Sequence, residues 1–402
     1  MNKRFSFVKI MTGFMFALVI FPSNIKAIVI ILFTLSILFL INKRKWSFNK
    51  ELFLTNAVLY FVILITLFYS NNLPYALNKL QTMSAILVFP LVFSMINEKE
   101  VKELYKHKKV YLSIYIVGVF LLNTIPFFWY FITHYSFIEI ITHYPRIIMV
   151  DIGKYGIHPI YMSLHCSMAI IFSLIIFKDN TQKVARLTLI VLNLILILFL
   201  LIYARKGPIL ALFITVFIWA IFQNKTKYYI SITTALILGA ILIISIPRTK
   251  ERFAELLNIG NTITSVEKET SISMRVTIYK SVKDLVIQSP LLGYGIGDYN
   301  DKLRVKNKEE GYINLSKKSY NAHNQYLSFL LIGGALCLLP FLFMISKNII
   351  MAIHTNNHVL VLIIILFSVV MLTENILERE NGVIFFSLFL NFFALKNYYN
   401  ID

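Results

Sequence analysis

The sequence is short of charge. Only 15% of its 402 residues are Asp, Glu, Lys or Arg, against roughly 25% in a soluble globular domain. With 58% of residues hydrophobic, an ordinary water-soluble fold is excluded. Cysteine is nearly absent: Cys166 and Cys337 both lie inside apolar runs. That excludes a disulfide framework or a CxxC metal site, and leaves the two as small hydrophobes within helices. The apolar-polar alternation of a membrane β-barrel is missing too. So are the Walker A, GxSxG and HExxH patterns. Asp298-Tyr299-Asn300-Asp301 clusters carboxylates without the spacing or terminal Glu of a calcium loop. No metal site and no cofactor is expected. Acidic residues are scarce beside basic ones, 20 against 39, for a net charge of +19. In a chain this apolar, Lys and Arg gather in short loops as topology determinants, so nucleic acid is not expected as a partner.

What is present is a series of long apolar blocks, each close to the roughly 17–25 residues needed to cross a bilayer as helix. The expected spans are 5–21, 27–41, 51–69, 80–96, 110–133, 159–177, 187–204, 208–223, 228–246, 324–345, 358–373 and 382–396. The fold class is therefore all-α, a polytopic membrane bundle of about twelve helices. The first block follows Lys3 and Arg4 like a signal peptide, but a second starts at Ala27 with no small-residue cleavage site between them. It reads as a retained helix.

Short loops set the orientation. Lys43, Arg44, Lys45 and Lys50 lie in one connection, and Lys99, Lys102, Lys106, Lys108 and Lys109 in another, with further cations in 178–186 and 224–227. Lys and Arg mark the cytoplasmic side, which places both termini there. Two longer segments, 134–158 and 247–322, then lie outside. The chain divides into helices one to nine over 1–246, a large outer loop over 247–322, and helices ten to twelve over 323–402. Within the loop, 271–288 reads as an amphipathic helix, with Met274, Ile278, Val282, Leu285 and Val286 on one side. Ser289-Pro290 stops it, and the turn-rich 293–297 follows. Such a helix lies along the outer surface of the membrane or caps the bundle.

Charges at a membrane boundary are costly and are functional candidates by default. Arg205 and Lys206 stand between two apolar runs with almost no loop, and Pro208 suits the first turn of a new helix. A helix N-terminus beside two cations can bind phosphate, although snorkelling interfacial cations would look the same. Arg275 lies on the amphipathic helix, where a solvated arginine is the plainer reading. His323 opens the tenth span. Imidazole titrates near neutrality and can accept a hydroxyl proton, although a cap would also suit the position. Gly333-Gly334-Ala335 behind it permits close helix packing. Arg146, Lys154 and His158 are secondary candidates in the first outer segment, and His158-Pro159 opens the sixth span as His323 opens the tenth.

Together these pieces resemble the O-antigen ligase and O-antigen polymerase superfamily of envelope glycosyltransferases, most closely over 159–340. Ligases of that family carry His-[Asn/Ser/Gln], nine residues, then Gly-x-x-Gly. Here His323-Asn324 is followed after nine residues by Gly334, and Cys337 replaces the last glycine. Ser273-Met274-Arg275 and the stretch from Pro290 through Gly293, Tyr294 and Gly295 match the family's Arg then Pro-x-x-Gly-x-Gly region. Arg205-Lys206-Gly207 matches its arginine at a helix head.

The resemblance implies transfer of a glycan from undecaprenyl diphosphate at the periplasmic face of the bacterial inner membrane, inverting and metal-independent. It makes Arg205, Arg275 and Lys206 diphosphate binders and His323 the general base. Arg146, Lys154, His158, Asn324 and Tyr294 are candidate substrate contacts. The His-Asn spacing favours a ligase acting on lipid A–core. A polymerase extending a second lipid-linked glycan, transfer to a protein hydroxyl, and a lipid-linked oligosaccharide flippase are the alternatives. A flippase would favour internal repeats and midplane charges, and the two halves here look dissimilar.

Overall fold

A computed structural model describes residues 3–41, 47–226, 271–318, 320–399 and 401, with the side chains of residues 3, 4, 154, 271 and 272 left out. Expected span 228–246 and the first part of the large loop lie outside the described residues.

The described chain is helical throughout, and eight of its helices are long and apolar enough to cross a membrane. These are α2 (Ser23–Ile41), α3 (Lys50–Ile65, with its 3₁₀ extension to Tyr69), the α4–α5 pair (Leu73–Met83 and Ala85–Ser94), α7 (Lys108–Thr133), α9 (Pro159–Asp179), α10 (Lys183–Tyr203), α11 (Lys206–Gln223) and α15 (Gln325–His354). Shorter apolar helices add α1 (Lys3–Phe16) and α16 (His358–Met371), and α17 (Glu380–Tyr398) closes the chain. Between the spans lie α6 (Glu98–Lys106), α8 (Phe137–Arg146), α12 (Ser271–Gln288), α13 (Tyr299–Glu309) and α14 (Ile313–Lys317). The protein is an all-α, multi-pass membrane bundle.

Two helices form its axis. α9 is buried on every side, and α17 buries an unbroken run from Val383 to Leu395. Their contact is aromatic: Phe172 meets Phe389 edge-on at 5.1 Å, and Tyr115 of α7 meets the same ring at 5.1 Å. Lower down, Asn56 Nδ2 donates to Asn391 Oδ1 at 2.9 Å and Asn348 Nδ2 to Asn56 Oδ1 at 2.7 Å, so α3, α15 and α17 share one amide chain. Interhelical hydrogen bonds of this kind contribute about 0.6 kcal/mol each inside a membrane.

The starts of α4, α9, α11, α15 and α17 and the ends of α3, α10 and α16 meet at one end of the bundle, because successive spans run antiparallel. The end of α17 lies at the other, where Tyr399 OH donates to Ile96 O at 2.7 Å. The start of α1 is there too, since Lys9 and His107 line one groove.

The Gly pair does more than permit close packing. Gly333 (φ −143°, ψ 21°) and Gly334 (φ 57°, ψ −146°) break the helix within α15. The break strips backbone groups of their helical partners, and the 290–295 loop supplies replacements. Tyr294 N and Gly295 N donate to Leu331 O and Ile332 O, each at 2.8 Å, while Ala335 N donates to Pro290 O at 2.8 Å. Irregular backbone at membrane depth survives only with such exchange. Only glycine fits at 334, because a Cβ there would lie 2.3 Å from the Leu291 carbonyl carbon. Cys337, standing where the ligase motif has glycine, packs its Sγ under Gly333.

Candidate functional site at one end of the bundle

α12 forms where the amphipathic pattern predicts, burying Ile278, Val282 and Leu285, and it caps the bundle against α13 and α15. The loop after it is fixed to the top of α3. Ile296 N donates to Thr66 Oγ1 at 3.1 Å, and Gly297 N to Ser70 Oγ at 3.1 Å. Asp298 accepts from Asn71 N at 2.7 Å and Asn72 N at 2.9 Å, which gives this carboxylate a capping task at the head of α4.

So anchored, α12 presents Arg275 to the turn between α16 and α17. There Arg275 Nη2 donates to Glu374 Oε1 at 3.1 Å and to Thr373 O at 3.4 Å. Arg275 Nε is buried without a hydrogen-bond partner among the described residues. The other oxygen of that carboxylate, Glu374 Oε2, lies 3.3 Å from His323 Nδ1. An ionised carboxylate only accepts, so this contact fixes the imidazole with its proton on Nδ1 and its lone pair on Nε2. Burial pushes Glu374 up, but the hydrogen bond and charge of His323, then Arg275 and His158, outweigh it and hold the carboxyl below its usual range.

His323 has a left-handed backbone, φ 45°, a conformation that costs a non-glycine residue about 1–3 kcal/mol. It is over-determined: His323 N donates to Asn321 Oδ1 at 3.0 Å and Tyr279 OH to His323 O at 3.3 Å. Asn324, not His323, caps α15. Its Oδ1 accepts from Tyr326 N at 2.9 Å and Leu327 N at 3.1 Å, and its Nδ2 donates to Leu372 O at 3.1 Å.

Arg205 is the N-cap residue of α11, following Ala204 in the left-handed conformation, and Lys206 begins that helix. The helix head docks on the same turn, because a Cβ on Gly207 would lie 2.3 Å from Thr373 Oγ1. His158 caps α9, its Nδ1 accepting from Ile160 N at 3.3 Å. Desolvation, then the Arg205 charge, push His158 down to about 4, with Arg379 and His323 adding and Glu374 opposing. Those influences place Arg205, Glu374, Arg379 and His323 around one imidazole. The structure thus gathers His323, Arg275, Arg205 and His158, with Lys206 next to Arg205 at the helix head, and Asn324 holds the helix beneath.

Two other expected contacts, Arg146 and Tyr294, stand apart, and Lys154 is not described as far as its side chain. Arg146 is exposed at the end of α8. Lys154 falls in the turn Gly153–Tyr155, and its side chain lies outside the described residues. Tyr294 spends its hydroxyl on Leu285 O at 2.8 Å, closing the loop after α12.

Beside His323 and His158 opens a polar cavity of about 790 Å³, also lined by Tyr161, Lys79, Lys318 and Arg379. Glu378 forms its floor. It accepts from Gln325 Nε2 at 3.2 Å, Asn375 Nδ2 at 2.9 Å, Ser328 and Tyr299, and pairs with Lys79 at 3.7 Å. Glu374, Glu378 and Arg379 lie in one short turn that the sequence reading passed over. The rule that selected Arg205, charge at a membrane boundary, selects them equally. Among the described residues no three His, Cys, Asp or Glu side chains gather as a metal site.

Fold and site together define a multi-pass membrane protein with a cationic, histidine-bearing cavity at one end of its bundle. Residues 185–342 match the family model described as O-antigen ligase, which supports the resemblance to the O-antigen ligase and polymerase superfamily. The matched segment holds Arg205, Arg275 and His323. A comparison with curated proteins gives no match.

Proposed function

We propose that this protein transfers a glycan from undecaprenyl diphosphate to an acceptor hydroxyl, at the periplasmic face of the bacterial inner membrane. One observation carries the reading: a single carboxylate, Glu374, holds Arg275 by one oxygen and His323 by the other. A cation for a leaving diphosphate is thereby fixed relative to a base for an incoming hydroxyl.

In the proposed step the acceptor oxygen attacks the anomeric carbon as the bond from that carbon to the diphosphate oxygen breaks. The electron pair leaves with the diphosphate. Arg205, Arg275, Lys206 and the first backbone N–H groups of α11 stabilise the charge that develops there. His323 Nε2 takes the hydroxyl proton. Attack opposite the leaving group inverts the anomeric centre, and two arginines suffice for the diphosphate without a metal. The His-Asn motif favours lipid A–core as acceptor, as in a ligase. A second lipid-linked glycan is the alternative, as in a polymerase.

The test is transfer by purified protein in vesicles, from undecaprenyl-diphosphate-linked glycan to each acceptor in turn. His323→Ala and Arg275→Ala are expected to abolish it while the proteins stay folded. Full activity in both variants overturns the reading.

A further inference from the structure

His158 has one ring nitrogen committed and one free. Nδ1 accepts from Ile160 N at 3.3 Å, and His158 O accepts from Tyr161 N at 2.9 Å. The first N–H groups of α9 are therefore spent within the helix. A ring nitrogen that accepts carries no proton, and a neutral imidazole has one donor and one acceptor nitrogen. The cap thus puts the proton of His158 on Nε2, the opposite tautomer to that of His323. An imidazolium carries N–H groups on both nitrogens and would lose the cap.

His158 Nε2 makes no hydrogen bond among the described residues, and the exposed ring lines the polar cavity. Three residues on, the same face of α9 brings Tyr161 to that cavity, and its hydroxyl also has no hydrogen-bond partner among the described residues. Both groups are neutral donors. Around them the site is largely cationic: of the charges acting on His158, Arg205 is the strongest, followed by Glu374, Arg379 and His323. Cations suit phosphate oxygens, whereas a neutral N–H or O–H suits an uncharged hydroxyl or carbonyl oxygen. Desolvation and the Arg205 charge, which hold the ring down to about 4, keep it a neutral donor at neutral pH.

On the proposed function Arg205 takes the leaving diphosphate and His323 the attacking hydroxyl. His158 feels Arg205 most strongly and shares a cavity with His323, which puts it between the two. The part of the substrate that belongs there is the sugar whose anomeric carbon changes partners. Of the atoms flanking that carbon, the ring oxygen gives up electron density as the bond breaks, so the oxygen on the second carbon is the one left to accept. We infer that His158 Nε2–H and the Tyr161 hydroxyl hold the donor sugar by that oxygen, whether it is a hydroxyl or an amide carbonyl. This deepens the glycosyltransfer reading and rests on it. The pair gives up no proton. It turns the face of the sugar opposite the diphosphate toward His323, and a misplacement of about 1 Å there costs on the order of a hundredfold in rate. The site then discriminates among donors by the sugar next to the diphosphate, a choice that arginines meeting only phosphate do not make.

The test uses full-length protein in vesicles with undecaprenyl-diphosphate-linked glycan, and variants that separate the two nitrogens of His158. His158→Ser keeps a capping oxygen and has no donor that reaches the cavity. His158→Gln places an amide N–H where Nε2 stands and gives up the cap. We expect His158→Ser to melt as the wild type does and to transfer about a hundredfold more slowly. His158→Gln should melt lower yet recover most of the rate. Tyr161→Phe, which removes one oxygen, should slow transfer about tenfold. Sugar-free undecaprenyl diphosphate should bind all three variants as tightly as it binds the wild type. A donor with a 2-deoxy sugar should be transferred at one rate by wild type and His158→Ser. Wild-type rates in His158→Ser or in Tyr161→Phe overturn the inference. So does a His158→Ser defect that persists in full with the 2-deoxy donor, which makes His158 a cap alone. Lost affinity for the sugar-free lipid overturns it too, by assigning His158 to the diphosphate. If His323→Ala retains transfer, the parent reading fails instead, whatever the His158 variants do.

Discussion

Arg275 and His323 are held by opposite oxygens of Glu374, at 3.1 Å and 3.3 Å. On the proposed function the shared carboxylate makes leaving-group cation and base one unit, brought together from α12, the turn before α15 and the turn after α16. Disturbing any of the three should therefore register at the other two.

Glu374→Gln keeps the size of the side chain and removes its charge. The amide can no longer insist on a proton at His323 Nδ1, so part of the imidazole population presents the wrong tautomer to the acceptor. We expect kcat to fall about a hundredfold, with donor affinity changed much less. A variant that loses donor binding and keeps kcat would assign Glu374 to the diphosphate instead.

Arg275→Lys separates charge from geometry. Lysine carries the charge without the planar fork that spans both Glu374 and a phosphate oxygen. Arg275→Ala is expected to cost roughly 10²–10³ in rate, and Arg275→Lys to recover only part of it. Full recovery would mean that a point charge is enough.

His158 gives a pH prediction with a definite sign. Its ordinary value of 6.5 falls to about 4 in the folded protein, so the fold favours the neutral ring. That stability is fully present above pH 6.5 and is lost as pH falls from there toward about 4. Glu374, also held low, adds stability above the usual carboxylate value of 4.5 and loses it below. Wild-type protein should lose more thermal stability between pH 7 and pH 5 than His158→Gln does. Parallel losses would show that His158 is not held neutral.

Gly333→Ala places a Cβ 2.2 Å from Cys337 Sγ. It should lower the thermal midpoint, and adding Cys337→Gly should restore much of it, because the severe clash is with that side chain, the other close atom being Thr66 Cγ2 at 3.3 Å. Gly334→Ala should resist such rescue, since its Cβ meets the Leu291 backbone and its φ is positive. Coupling of neighbours in this sense is measured by the double-mutant cycle.

Periodicity and breakers carried much of the fold. The apolar stripe Ile278, Val282, Leu285 and the stop at Ser289-Pro290 were legible because local pattern decides both. The start of α4 at Leu73 was not. Its polar residues Asn78 and Lys79 fall outside the expected span 80–96, whereas they line a cavity inside the bundle. Gly333-Gly334 read as a packing pair, because only the partner loop, some forty residues earlier in the chain, shows that the helix breaks there. In the site, the cations and His323 were legible from their place at membrane boundaries. Glu374 and Glu378 were passed over because their roles depend on partners brought from distant segments, Arg275 to the first and Tyr299 and Lys79 to the second.

The measurement closest to the central claim is single-turnover transfer by His323→Gln, with undecaprenyl-diphosphate-linked glycan already bound. The account predicts donor binding as in the wild type and a transfer rate lower by about a hundredfold or more. Transfer at the wild-type rate with the donor bound would contradict it.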